Sequence, residues 1–73
     1  MRSGRQLAII ASALDELPPH YREAFLLQVV CGWPFEAVGR EMRISERMAG
    51  IYTSRAFMRV QRELDASAST GEL

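Results

Sequence analysis

The side chains best suited to chemistry in this sequence are arginines. Residues 40 to 62 hold Arg40, Arg43, Arg47, Arg55, Arg59 and Arg62 against Glu41 and Glu46, a local balance of +4 in a chain of zero net charge. A guanidinium is a planar fork of N–H donors, so it matches two oxygens of a phosphate or the paired acceptors of a guanine edge. Charge elsewhere has the other sign. Residues 15 to 36 carry Asp15, Glu16, Glu23 and Glu36 against Arg22, a balance of −3, and Glu63, Asp65 and Glu72 give the end another −3. A neutral chain polarised in this way suits a protein with one anion-facing side. All nine basic residues are Arg and none is Lys. That fits bidentate contacts to phosphate or guanine, and it equally fits a GC-rich coding sequence. The bland rival is an arginine series that forms only a solvated face.

To act together these arginines need an element that turns them to one side, and Phe35 to Leu64 reads as a helix-turn-helix that supplies it. Val38 and Met42 are four apart and share one face of a short helix. Gly39 beside them stands where a second helix must come close. Arg43-Ile44-Ser45 is the connection, and Ser45 is placed to cap the next helix by accepting a hydrogen bond from a first-turn amide. Ala49, Tyr52, Ala56 and Val60 then recur at helical spacing and pack back on the first helix. Two helices crossing through so short a turn can present the second to a DNA major groove. In that pose Glu46, Arg47, Gly50, Ile51, Ser54 and Arg55 point outward or toward the backbone. Arg47 is the candidate base reader, with roughly 1–3 kcal/mol of discrimination for a bidentate guanine contact. Glu46 can accept from a cytosine amino group but repels phosphate. Ser45 and the first-turn amides meet a phosphate at the positive end of the helix dipole, and Arg43, Arg55 and Arg59 neutralise backbone charge. A plain helical packing unit is the rival reading of the same pattern.

The remaining chain reads as support. Leu7, Ile10, Ala11, Leu14 and Leu17 share one face of a first helix over 5–16. Pro18-Pro19 stops it and opens a second helix over 19–30, with Ala24, Phe25, Leu27 and Val29 or Val30 in the core. Gly32 is a candidate left-handed cap, and Pro34 opens a third helix over 34–42. The fourth runs over 45–64. Residues 1–4 read as a cloning remnant or disordered start, and 65–73 as a flexible tail. No stretch alternates with the period of a strand, so the expected fold is all-α, a compact four-helix domain with a C-terminal helix-turn-helix and no wing. Trp33 and Phe35 read as lids over the joint between the second and third helices. Cys31 reads as a buried or half-buried free thiol, and the methionines of the last two helices as core filler. His20 reads as exposed, and Arg22 as an ion-pair partner of Glu36 or another acid.

Several function classes are excluded. No run of about 18 apolar residues is present to span a membrane, and the single cysteine fits a reducing cytoplasm. No nucleophile–base pair, metal-ligand cluster, paired carboxylates or phosphate loop appears, so no catalytic residue, metal site or cofactor is expected. A domain of 73 residues would also struggle to enclose a substrate.

Most of the chain, from about 13 to 64, resembles region 4 of bacterial sigma factors, most closely the extracytoplasmic-function group. Ala13-Leu14, Leu17-Pro18 and Arg22 resemble that domain's "aL..LP...R" opening. Phe25, Leu27 and Gly32 resemble its "fLL....G" middle. Phe35-Glu36-Ala37-Val38-Gly39 stands at its "YEEIA", Ile44-Ser45 at its "GIS" turn, and Arg55-Ala56, Val60 and Leu64 at its "RA...L...L" close. Met48-Ala49 with Tyr52-Thr53-Ser54-Arg55-Ala56 is similar to the "MVEKYVARA" of the iron-siderophore-responsive members. The chain departs from the pattern in three places. Arg43 replaces the usual turn Gly, Ala49 a larger Val, and Gly50 a charged or polar residue.

The resemblance implies promoter recognition in transcription initiation. The partners it implies are the −35 element as double-stranded DNA, the β flap of RNA polymerase core, and an anti-sigma regulator, which spans the membrane in the iron-siderophore group. It implies a monomer in the bacterial cytoplasm. The larger N-terminal domain of such factors is missing from the 73 residues, so the chain is expected to be an excised domain. Two alternatives stay open. One is a stand-alone dimeric helix-turn-helix regulator, for which Leu7, Ile10 and Leu14 would form the dimer stripe. The other is a protein-interaction module bound by an anti-sigma regulator.

Overall fold

The computed structural model describes residues 2–71, with side chains from 4 to 67. Four helices follow one another: α1 (Arg2–Asp15), α2 (Pro19–Phe25), α3 (Phe35–Met42) and α4 (Glu46–Gly71), and α2 runs directly into a π-helical turn over Leu26–Val30. No strand occurs among the described residues. The fold is the all-α helix-turn-helix domain that the periodicity predicts. Of the expected start and tail, Met1, Glu72 and Leu73 lie outside the described residues, and α4 keeps its helical backbone beyond 64, through Gly71.

Each boundary has a local cause. Pro19 sits at the first position of α2, where its missing N–H has no intrahelical partner to lose. Gly32 takes φ 78°, a left-handed conformation that stops the π turn and lets the Trp33 amide donate back to the Leu27 carbonyl at 3.0 Å. Pro34, extended at φ −69° and ψ 157°, is the residue before α3 and not its first turn. Its carbonyl accepts from the Val38 amide at 3.0 Å.

The core is built along α4, which packs on α1, α2 and α3. Toward its C-terminal half, Ala56 and Val60 join Ala13, Leu14 and Phe25, with Ile10, Leu17, Tyr21 and Leu64 around them. Toward its N-terminal half, Ala49 joins Ala24 and Val38, with Leu27, Phe35, Met42, Ile44 and Tyr52 around them. Alanines at 13, 24, 49 and 56 are all buried. Their small side chains let the helix backbones approach, so little volume is needed to fill the interior.

The structure corrects several expectations about burial. Val29 and Val30 are exposed, because the wider π winding turns them outward and leaves Leu27 as the inward residue. Leu7 is 65% exposed, lying beyond the stretch of α1 from Ile10 to Leu14 that meets the core. Cys31 is exposed where the π turn ends. Trp33 is exposed while Phe35 packs on the second cluster. Met42 fills core space, Met48 is half-buried, and Met58 faces solvent. Arg22 is structural but not through Glu36. Its Nη1 donates to the Leu14 carbonyl at 3.5 Å, near the end of α1, and Glu36 instead lies 3.8 Å from Arg40.

Candidate nucleic-acid interface

The site begins at the turn between α3 and α4. Arg43 is left-handed, φ 61° and ψ 43°, and it is the one described non-Gly residue with positive φ. Its amide donates to the Arg40 carbonyl at 3.4 Å, and the next amide, of Ile44, donates to the Gly39 carbonyl at 2.9 Å. These are the two bonds of a Schellman motif, and Ile44 packs against the cluster of Ala24, Val38 and Ala49. The motif tolerates Arg at its left-handed position at a cost of ~1 kcal/mol relative to Gly. Gly39 has no such freedom. A Cβ there would lie 2.8 Å from the Ile44 carbonyl oxygen and 3.2 Å from Ser45 backbone atoms. The sharp crossing of the two helices depends on that missing side chain.

Ser45 is the N-cap. Its Oγ accepts from the Met48 amide at 3.0 Å, while its carbonyl accepts from Ala49 at 3.0 Å. That leaves the other first-turn amides of α4 and the positive end of its dipole facing outward, a ready site for a phosphate. Arg43, Ser45, Glu46 and Arg47 are all exposed around it. Arg47, Ile51, Ser54 and Arg55 follow at helical spacing and share one face, with Ile51 half-buried and the others exposed. Gly50 is not on that face. A Cβ built on it meets the Phe35 ring at 3.8 Å, so position 50 faces α3.

The two later arginines are held by partners. Arg55 Nη1 donates to Tyr21 Oη at 3.4 Å. Tyr21 itself packs edge-on against Tyr52, with centroids 4.9 Å apart at 85°, and His20 lies 6.1 Å from the same ring. Arg59 Nη2 lies 2.7 Å from Glu16 Oε1 and its Nε 3.4 Å from Glu63 Oε2. The sequence pattern contains the Arg59–Glu63 spacing of four. It offers no signal for Tyr21 or Glu16, which reach these arginines only through the packing of α2 and the α1–α2 joint on α4. The structure thus brings together Arg43, Ser45, Glu46 and Arg47 as an open cluster, and ties Arg55 and Arg59 to the flank.

Beside this face runs an open groove of about 630 Å³ lined by Gln28, Val29, Thr53, Ser54, Phe57 and Met58. Phe57 and Met58 are 51% and 67% exposed. Thr53 is buried, and its Oγ1 has no hydrogen-bond partner. Among the described residues no group of three or more His, Cys, Asp or Glu is placed to hold a metal ion, and no helix is long and apolar enough to cross a membrane.

The family model described as "Sigma-70, region 4" matches residues 7–60, a span that takes in the two core clusters, the Schellman turn and the capped start of α4. The chain belongs to the sigma-70 region 4 family. Neither the curated proteins nor the solved structures give a significant match to it. Membership assigns the helix-turn-helix to a DNA-binding domain of the transcription machinery, a family that is not enzymatic. The matched span includes the open cluster of Arg43, Ser45, Glu46 and Arg47 at the start of α4.

Proposed function

We propose that this domain recognises the −35 promoter element as double-stranded DNA during transcription initiation. The observation that carries this reading is the capped, outward-facing N-terminus of α4 with Arg43 and Arg47 exposed on either side of Ser45. The dipole and free amides favour a phosphate, Arg47 a guanine edge, and Arg43 the backbone. Glu46, Ile51 and Ser54 complete the reading face, and Arg55 adds backbone charge. Gly50 contributes close packing on Phe35 in place of a base contact.

The same reading includes docking on the β flap of RNA polymerase, as the family implies, and the exposed Val29, Phe57 and Met58 support a protein contact. We place the factor in the extracytoplasmic-function group, with the iron-siderophore-responsive members as the nearest likeness and an anti-sigma regulator as a further partner. The domain works as a cytoplasmic bacterial monomer. Of the stripe that the dimeric alternative would use, Leu14 is buried and Ile10 packs on the domain's own core, while Leu7 is exposed.

An amide NMR titration with duplexes carrying candidate upstream promoter elements, at low and then moderate salt, tests the reading. Salt-sensitive shifts confined to Arg43 through Arg55 are expected. Shifts that are absent, or scattered over α1 and α2, would overturn DNA reading for this domain and favour the protein-docking role.

A further inference from the structure

Arg59 stands apart from the other candidate DNA contacts. Two carboxylates grip it: Glu16 at 2.7 Å from the joint after α1, and Glu63 at 3.4 Å from one turn on along α4. One turn before it, Arg55 is held by a neutral hydroxyl, Tyr21 Oη. Arg55 and Arg59 are four residues apart, so they lie in line on the flank of α4. A phosphate strand that passes Arg55 meets, one turn further, a group whose summed charge is −1 and not +1.

The grip is not needed for packing. The Arg59, Glu16 and Glu63 side chains are 38%, 58% and 41% exposed, and the contact of α1 with α4 below them is made by Ala13, Leu14, Ala56 and Val60. Exposed ion pairs are individually weak and screened by salt. Each pair is weak enough to be removed without unfolding the domain, yet the two carboxylates together leave Arg59 no net positive charge to offer a phosphate.

We propose that Glu16 and Glu63 form an electrostatic latch that withholds Arg59 from DNA, so that the domain's grip on phosphate is set below what its arginine count allows. The latch rests on the DNA-binding reading above. Weakening the two carboxylates frees Arg59 for one more phosphate contact.

The test is the salt dependence of binding to a fluorescent duplex of about 20 base pairs, for the wild-type chain, E16Q/E63Q, R59Q and the triple variant E16Q/E63Q/R59Q. Each added phosphate contact steepens the slope of log affinity against log salt by about 0.9. The latch predicts that E16Q/E63Q binds several-fold tighter at low salt with a slope steeper by about 0.9, that R59Q keeps the wild-type slope, and that the triple variant loses the gain. It also predicts that the Arg59 Nε–Hε resonance moves on adding DNA in E16Q/E63Q and stays still in the wild type. If E16Q/E63Q proves unfolded by circular dichroism, E16Q alone is read the same way. An unchanged slope in the acid variant, an equal gain in the triple variant, or a slope that already falls in R59Q each overturns the latch and leaves DNA binding intact. A wild-type chain with no salt-dependent binding overturns the DNA reading itself, and the latch with it.

Discussion

At the scale of single residues, three positions govern how α3 and α4 come together. Gly39→Ala drives a Cβ to within 2.8 Å of a backbone carbonyl, which has no flexible end to swing away. It should cost about 1–3 kcal/mol by overpacking, read as a lowered denaturant midpoint. Gly50→Ala has the opposite sign. The new methyl meets the Phe35 ring at an ordinary 3.8 Å, and Ala is favoured over Gly inside a helix by ~1 kcal/mol. That variant should be more stable by about that amount while DNA affinity is unchanged, and a loss of stability would refute the packing described here. Arg43→Gly should likewise stabilise by ~1 kcal/mol by relieving the left-handed strain, while weakening DNA binding at low salt. The need for Gly at 39 was legible in the sequence from the short connection, and the left-handed place of Arg43 from the Gly that the resemblance sets there. The place of position 50 was not. Helical spacing alone put it outward, and only the seating of Phe35 against α4 shows that it faces α3.

At the scale of elements, the helix caps were legible and the windings were not. Ser45, Pro19 and Gly32 act where residue type predicts, since each supplies or removes a specific backbone constraint. Nothing in Leu26-Leu27-Gln28-Val29-Val30 announces a π turn. The turn fully buries none of its five residues, and Val29 and Val30 are exposed against expectation. The cap also allows stability and function to be separated. Ser45→Ala should destabilise the domain by about 1 kcal/mol through the lost Met48 amide bond. Ser45→Asp should keep the cap and the favourable dipole interaction, so thermal stability stays near wild type. It sets a carboxylate beside Glu46 where a phosphate would sit, so DNA affinity should fall further than for Ser45→Ala. Equal DNA affinities for the two variants would show that this helix terminus does not meet phosphate.

At the scale of the molecule, one helix organises everything. The 26 residues of α4 span about 39 Å at 1.5 Å per residue, most of the 44 Å length of a domain that is 19 and 16 Å across. Its first turns carry the open arginine cluster, and its middle carries the apolar groove. The charge polarity of the arginine segment announced the first in the sequence. The second was hidden, because Met58 read as core filler by type and Phe57 carried no signal of its own, yet both are half or more uncovered. Ser54 belongs to both surfaces, so DNA and a protein in the groove would meet at one residue. Replacing an exposed apolar side chain there separates the two partners. Met58→Glu removes nothing from the interior, and its stability should stay within about 0.5 kcal/mol of wild type. If the groove is the polymerase contact, the variant loses binding to RNA polymerase core in a pull-down with purified enzyme. It keeps salt-dependent binding to duplex through Arg43, in the turn before α4, and Arg47, about three turns away along α4. Retained polymerase binding would move the docking surface elsewhere on the domain, and a collapse of both activities would mean that the groove and the reading face act as one surface.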